Sequence, residues 1–83
     1  MNSVSLTDKR ILITGSARGL GRGFAEAAAG AGARLVLADI LEDVGRETAD
    51  AIAADGSEVH FRPVDLGNPD SIAALADAAA NDL

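Results

Sequence analysis

The sequence predicts an α/β fold in which helices cover both faces of a parallel sheet. Three short apolar segments alternate with three segments of helical periodicity, and the turns between them are short. This alternation is typical of βαβ units, whose crossovers are right-handed in nearly all proteins. We therefore expect a doubly wound but incomplete βαβαβα arrangement. The expected strand order is 3-2-1, with the first two helices on one face and the third on the other.

The first unit comprises a strand over residues 10–14 and a helix over about residues 20–29. Gly30 and Gly32 indicate where this helix ends. The apolar positions of the helix fall on one face at helical spacing, which predicts that this face packs on the sheet. They are Leu20, Phe24, Ala27, Ala28 and Ala31.

The second unit comprises a strand over residues 34–39 and a helix over residues 42–54. The strand is continuously apolar after its first residue, as expected for a strand covered on both faces. The predicted inner face of the helix consists of Val44, Thr48, Ala51 and Ile52.

The third unit begins with a strand over residues 58–64. Pro63 cannot donate to a ladder, so we expect an edge strand. The helix that follows has Asn68 as its N-cap and Pro69 at its first position, with Asp70 in the first turn. Its predicted inner face consists of Ile72, Leu75, Ala76 and Ala79.

Composition excludes several classes of function. The net charge of −6 argues against a nucleic-acid partner, which requires clustered basic residues. No apolar run approaches the ~18 residues of a membrane span, and the first ten residues lack the pattern of a signal peptide, so we expect a cytoplasmic protein. The chain has no cysteine and one histidine, so we expect no metal site.

The stretch TGSARGLG joins the first strand to the first helix. A turn of this kind places free N–H groups and the positive end of the helix dipole beside the loop, where a phosphate can bind. We expect Gly15 to make the turn, and Gly19 and Gly21 to let phosphates approach the backbone. The Leu20 N–H and the Ser16 side chain are expected donors. An ordinary strand-to-helix turn is the alternative.

Two other glycine motifs do not fit this loop. A P-loop requires Gly-x4-Gly-Lys-Ser/Thr, but Leu20 stands five residues after Gly15 and no Lys-Ser/Thr follows. The Gly-x-Gly-x-x-Gly fingerprint begins at Gly19 but meets Phe24 at its last position. Gly23 lies inside the helix, where we expect it to allow close packing.

The observed spacing, Thr-Gly-x3-Gly-x-Gly, resembles the cofactor loop of the short-chain dehydrogenase/reductase family. Asp39 ends the second strand, 20 residues after Gly19, and Asp65 and Leu66 follow the third strand where this family has a similar pair. The resemblance covers the whole chain. It implies that residues 1–83 are the N-terminal portion of a single NAD(P)-binding Rossmann domain.

The resemblance also implies roles for the acidic residues. The carboxylate of Asp39 would bind the adenosine ribose, with Ile40 beside it. The Asp65 carboxylate and the Leu66 backbone would meet the adenine edge. The residues alone leave alternatives open, since Asp39 also fits a helix-start acid and Asp65 also fits a cap for the turn before Gly67.

The expected cofactor is NAD, with NADP less favoured. An acid at the end of the second strand accepts hydrogen bonds from a ribose 2′-OH and repels a 2′-phosphate, and Ile40 rather than an arginine follows Asp39. Arg18 is the contrary observation, because a basic residue just before Gly19 often accompanies NADP in this family.

The family's catalytic Tyr-x-x-x-Lys pair and serine have no counterpart here. The chain contains no tyrosine, and its only lysine, Lys9, precedes the first strand. By resemblance, the parent enzyme would transfer hydride between NAD(P) and a hydroxyl or carbonyl substrate, whereas the 83-residue chain would be inactive alone. The alternatives are a non-catalytic dinucleotide-binding module that pairs with a second chain, and a truncated product without activity. We expect a homo-oligomer or pairing with a missing C-terminal part, and a small-molecule substrate only in the intact parent.

Overall fold

The computed structural model describes residues 5–83 of the chain. Its elements follow the predicted βαβαβα order. Each element boundary that was predicted from the sequence lies within one residue of the observed boundary. Within these residues, no helix has the length and apolarity needed to cross a membrane. The elements are β1 (Arg10–Thr14), α1 (Gly19–Gly30), β2 (Arg34–Asp39), α2 (Glu42–Ala53), β3 (Val59–Pro63) and α3 (Pro69–Asp82).

The three strands form one parallel sheet with the order β1-β2-β3, which confirms the predicted 3-2-1 arrangement. The register places Leu12 beside Val36 and Val36 beside His60. Strand β3 lies at one edge, as Pro63 at its end indicates. The carboxyl ends of all three strands therefore meet along one rim of the sheet.

The central strand β2 is buried on both faces. Leu35 and Leu37 pack with residues of α1 and α2, whereas Val36 and Ala38 pack with Leu75 of α3 and its neighbours. The side chains of these four central residues of β2 are fully buried. Helices α1 and α2 thus cover one face and α3 the other, as expected for a doubly wound sheet.

The predicted inner face of α1 is wrong for its large residues. The helix packs on the sheet through Ala25, Ala28 and Ala29, while Leu20 is 75% exposed and Phe24 is 60% exposed. Small alanines bring α1 close to β2, so Phe24 lies beside β1 and Leu20 is exposed in the first turn of the helix. We call the resulting open apolar depression of about 640 Å³ the β1 groove. It is lined by Leu6, Ile11, Leu12, Ile13, Thr14, Phe24, Ala27, Ala28 and Ala31.

The inner face of α2 is also rotated from the prediction. Its buried residues are Gly45, Thr48, Ala49 and Ile52, while the predicted Val44 and Ala51 are exposed. The cause is Gly45, since a Cβ at this position would overlap the ring of Phe61 on β3. The glycine lets the ring contact the helix backbone. The guanidinium of Arg46 then stacks 5.4 Å from the ring centroid.

Helix α3 begins as predicted, because the Asn68 side chain accepts a hydrogen bond from the Asp70 N–H at 3.0 Å. Its other end is tied to β3 by two hydrogen bonds from Arg62 to Asp82, at 2.8 and 2.7 Å. The Arg62 hydrogen bond holds the pKa of the Asp82 carboxyl below its usual value.

The predicted inner face of α3 is correct for Leu75 and Ala79 and wrong for two other positions. Ile72 is 43% exposed, and Ala76 is exposed. On this face of the sheet, Leu12 of β1 is itself 42% exposed. Helix α3 therefore covers β2 but leaves the neighbouring part of β1 open.

Two glycine-to-alanine substitutions should change stability in opposite directions. Gly45→Ala should lower the free energy of unfolding by about 1–3 kcal/mol, because the new methyl group would overpack against Phe61. Gly23→Ala is the control, because no heavy atom lies within 4 Å of a Cβ built there in the described part of the chain. It should raise the free energy of unfolding by about 0.5–1 kcal/mol.

Urea unfolding of the two variants and the parent would measure both effects. A neutral or stabilising Gly45→Ala would contradict the packing of Phe61 on α2. The open space around Gly23 also means that close packing within residues 5–83 does not account for this glycine, contrary to our prediction.

Candidate functional site

The glycine loop lies at the carboxyl end of β1, between the last residue of the strand and the first turn of α1. Gly15 and Gly19 have φ values of +66° and +62°, in the left-handed region that residues with a Cβ disfavour. A Cβ at either position would point into open space. The two glycines therefore adopt the backbone conformation that the turn requires, and without side chains they leave the space beside the loop free for a ligand.

Gly21 has a packing role that we did not predict. A Cβ at this position would overlap the carbonyl oxygen of Gly15. Gly21 thus allows α1 to approach the turn that ends β1, which is a helix-packing role known for dinucleotide-binding loops. Within residues 5–83, Gly15 and Gly19 are the loop glycines at which a Cβ would meet open space, and the predicted role of Gly21 beside the phosphates stays a prediction.

The middle of the loop is buried and anchored to β2. The N–H and the hydroxyl of Ser16 both donate to the Ala38 carbonyl oxygen at 3.3 Å. The Ala17 N–H donates to Oδ2 of Asp39 at 3.0 Å. Ser16 and Ala17 are fully buried. Ser16 therefore braces the loop here, and its predicted hydrogen bond to a phosphate or ribose stays a prediction.

The first turn of α1 faces the solvent. Arg18 is the N-cap with an extended backbone, and no described side chain caps the helix. Arg18, Gly19 and Leu20 are all exposed. The first N–H groups of a helix have no partner within the helix, so this turn offers hydrogen-bond donors and a positive dipole end to an anion.

The Asp39 carboxylate connects the glycine loop with the start of α2. Its Oδ2 accepts from the Ala17 N–H, and its Oδ1 accepts from the Leu41 N–H, each at 3.0 Å. Asp39 is half-buried. An ionised carboxylate has about four acceptor positions, so two remain for hydroxyl groups. The helix-start role and a ribose-binding role are therefore compatible.

A cleft of about 270 Å³ opens along the rim between β1, β2 and β3. Ile40 and Leu66 border it with apolar side chains that are 67% and 58% exposed. The Asp65 Oδ1 accepts from the Gly67 N–H at 2.9 Å, so Asp65 does cap this turn, and contact with an adenine ring stays a prediction. The cleft is lined by Gly15, Asp39, Ile40, Val64, Asp65, Leu66 and Gly67.

The sequence-predicted site residues thus lie together at the carboxyl ends of the three strands, in the connecting loops, at the end of β2 and in the first turn of α1. Four further residues lie at the site or hold it in place but were not predicted as site residues: Ala17, Val64, Gly67 and Thr48. Thr48 is the most informative of them, because its hydroxyl donates to the Ala17 carbonyl oxygen at 2.6 Å. Its sequence signal was a hydroxyl on an otherwise apolar helix face.

The arrangement can bind but has few groups for proton transfer. It presents backbone N–H donors, one carboxylate with free acceptor positions, an exposed guanidinium on Arg18 and an apolar cleft. Within residues 5–83, no group of three His, Asp or Glu side chains is placed to hold a metal ion. These features suit an anionic ligand with hydroxyl groups and a flat ring.

Two relatives with similar sequences are described as a dehydrogenase and an oxidoreductase. A galactitol 2-dehydrogenase of Agrobacterium fabrum is 42% identical over 74 residues, which cover 87% of this chain and 28% of the relative. The uncharacterized oxidoreductase YxbG of Bacillus subtilis is 39% identical over 72 residues, covering 87% of this chain and 26% of the relative. The chain thus spans little more than a quarter of either relative.

A solved structure agrees with these relatives. The short chain dehydrogenase/reductase from Burkholderia phymatum, crystallised in complex with NAD, superimposes with a TM-score of 0.90 and is 40% identical. The match covers 99% of this chain and 28% of that chain. The model of the short chain dehydrogenase family matches residues 9–83, which is nearly the whole sequence. The chain therefore belongs to the short-chain dehydrogenase family.

Proposed function

We propose that this chain binds the adenosine and diphosphate half of a nicotinamide dinucleotide. One observation carries the proposal: the hydrogen bond between Ala17 and Asp39 holds the phosphate-binding loop beside the hydroxyl-binding carboxylate. In a dinucleotide, the ribose hydroxyls and the diphosphate are likewise separated by only a few bonds. The NAD complex of the Burkholderia phymatum protein supports this assignment.

The ligand fits the site in three parts. The diphosphate would accept hydrogen bonds from the first turn of α1, around Gly19 and Leu20. The adenosine ribose would donate to the free acceptor positions of Asp39. The adenine ring would occupy the cleft between Ile40 and Leu66, whose exposed apolar side chains suit its two faces.

We propose NAD rather than NADP as the preferred cofactor. Asp39 keeps its carboxylate directed at the loop, where a 2′-phosphate would bring nearly two further negative charges. At an effective dielectric constant of ~20, two unit charges about 4 Å apart repel by about 4 kcal/mol. Arg18 is exposed on the same loop and would offset only part of this repulsion.

The intact enzyme, in this proposal, oxidises a hydroxyl compound or reduces a carbonyl compound. The nicotinamide of the bound cofactor accepts or donates the hydride, and residues of a longer polypeptide handle the proton. The galactitol dehydrogenase among the relatives supports a hydroxyl or carbonyl substrate. A non-catalytic binding module that pairs with a second chain is the alternative.

The β1 groove supports the view that more polypeptide packs on this chain. Within residues 5–83, β1 pairs only with β2, and Leu12 and Phe24 remain exposed beside its open edge. Soluble proteins avoid such apolar free edges. We propose that a further segment of a longer polypeptide, or a second chain, covers the groove.

Replacing Asp39 should weaken NAD binding and narrow the difference from NADP. Asp39→Ala removes both the ribose acceptor and the anchor of the Ala17 N–H, so we expect NAD affinity to fall about tenfold or more. NADP affinity should fall less, because the repulsion of the 2′-phosphate is also removed.

Isothermal titration with NAD and NADP measures this change. Asp50→Ala is the matched control, because it removes the same charge from an exposed position of α2. It should leave both affinities unchanged. An Asp39→Ala variant with the parent's preference would mean that the carboxylate does not contact the ribose.

The 83-residue chain alone should show no dehydrogenase turnover. It has no tyrosine, so the acid/base pair that the family resemblance implies is absent. The check is an assay at 340 nm with NAD or NADP and a panel of polyols and alcohols. A rate that follows the purified 83-residue material through a final separation would refute this prediction.

Introducing a charge into the β1 groove distinguishes an open groove from a covered one. Phe24→Asp should reduce self-association of the 83-residue chain. In a longer polypeptide that covers the groove, it should lower stability by about 3–5 kcal/mol, as for other truncations of buried aromatic residues. Sedimentation velocity and urea unfolding measure the two effects. Ala51→Asp, on the exposed part of α2, is the control and should change neither; equal effects of the two variants would contradict the proposal.

A further inference from the structure

Helix α2 contacts the glycine loop through a single buried hydroxyl. The Thr48 side chain is 1% exposed, and its Oγ1 donates to the carbonyl oxygen of Ala17 at 2.6 Å. Threonine is a poor helix former, and inside helices its hydroxyl commonly bonds the carbonyl four residues earlier. Here the hydroxyl leaves its own helix and bonds a residue 31 positions earlier in the chain. An apolar residue would fill the same space but would leave the Ala17 carbonyl without this donor.

This hydrogen bond completes the anchoring of Ala17. The N–H of Ala17 donates to Asp39 at 3.0 Å, and its carbonyl oxygen accepts from Thr48. Both peptide groups that flank Ala17 are therefore held, one by β2 and one by α2. Because Ala17 has no exposed surface, water cannot replace either partner without opening the loop.

The peptide group held by Thr48 joins Ala17 to Arg18. In a trans peptide the C=O and N–H bonds point in opposite directions. The Ala17 carbonyl points toward α2, so the Arg18 N–H points away from it. Thr48 thus fixes the orientation of the peptide group that leads to the Arg18 Cα. The neighbouring peptide N–H, that of Ala17, is the one that Asp39 binds.

We propose that Thr48 is a positioning residue for cofactor selectivity. By holding the Ala17–Arg18 peptide, it limits how far the guanidinium of Arg18 can compensate the repulsion between Asp39 and a 2′-phosphate. Without the Thr48 hydroxyl, this peptide loses one of the hydrogen bonds that hold it, and in this proposal Arg18 then reaches the space beside the Asp39 carboxylate. This inference rests on the proposed dinucleotide site and adds a residue that lies outside it.

The test compares Thr48→Val with Thr48→Ser in the intact polypeptide, using NAD and NADP as separate titrants. The valine variant keeps the shape and loses the hydroxyl, so the ratio of NAD to NADP affinity should fall about fivefold, the factor expected when Arg18 gains one solvent-exposed ion pair with the 2′-phosphate. The serine variant keeps the hydroxyl and should keep the parent's ratio. A purely structural role would lower both affinities together, so a ratio unchanged in Thr48→Val would overturn the proposal.

Two additional variants make the test more specific. In an Arg18→Ala background, Thr48→Val should no longer change the ratio, because the residue through which Thr48 acts is gone. A ratio change that persists there would overturn the assignment to Arg18. If Thr48→Val does not fold, Thr48→Ala removes the same hydroxyl with a better helix former, and the same fall in the ratio is expected.

Measurements on the parent protein distinguish a failure of the proposed function from a failure of the role of Thr48. A parent that binds neither NAD nor NADP would refute the proposed function, and the role of Thr48 would fall with it. If the parent prefers NAD and the Thr48→Val variant keeps the parent's ratio of NAD to NADP affinity, only the role of Thr48 is refuted.

Discussion

The close contact between Gly21 and the carbonyl oxygen of Gly15 determines how α1 stands on the end of β1. Any side chain at position 21 would push the helix away from the strand. With the helix this near, the residues between the two glycines lie against β2 and α2, where Ser16 and Ala17 become fully buried. The anchoring of the loop and the exposure of the first helical turn both follow from this one approach.

The buried part of the loop also explains why the site depends on distant parts of the chain. The Ala17 amide needs the Asp39 carboxylate, and the Ala17 carbonyl needs the Thr48 hydroxyl. A buried backbone group without a partner costs about 1–3 kcal/mol, so neither partner is replaceable without loss. The atoms that stabilise the loop are therefore the same atoms that the proposed binding site would use, and a change in one affects the other.

The order and bounds of the elements were predictable because they depend on local patterns. The apolar run of β2, the proline in β3 and the Asn68 cap of α3 each carry their own signal. The inner faces of the helices were less predictable. Helical periodicity finds an apolar stripe but does not say which strand it meets, and in α1 the large Phe24 lies on the side of β1 that residues 5–83 leave open.

The site was predictable in part for a similar reason. The glycine spacing follows from the general chemistry of strand-to-helix turns, and the position of Asp39 follows from the dinucleotide fold that the resemblance implies, so the sequence indicated both the loop and the acid. The contact between Gly45 and Phe61, by contrast, joins residues from different elements and has no local pattern. The Thr48 hydroxyl is a similar case, since its partner lies 31 residues away.

The open β1 groove has a consequence for synthesis on the ribosome. Where the segment that covers the groove follows these residues in a longer polypeptide, β1 keeps a free parallel edge beside exposed Leu12 and Phe24 until that segment has been made. A further strand and helix of about 30 residues takes roughly 2–6 s to make at about 5–20 residues per second. During those seconds the nascent chain exposes an apolar strand edge that can associate with other chains, so chaperone protection matters most before the covering strand and helix are complete.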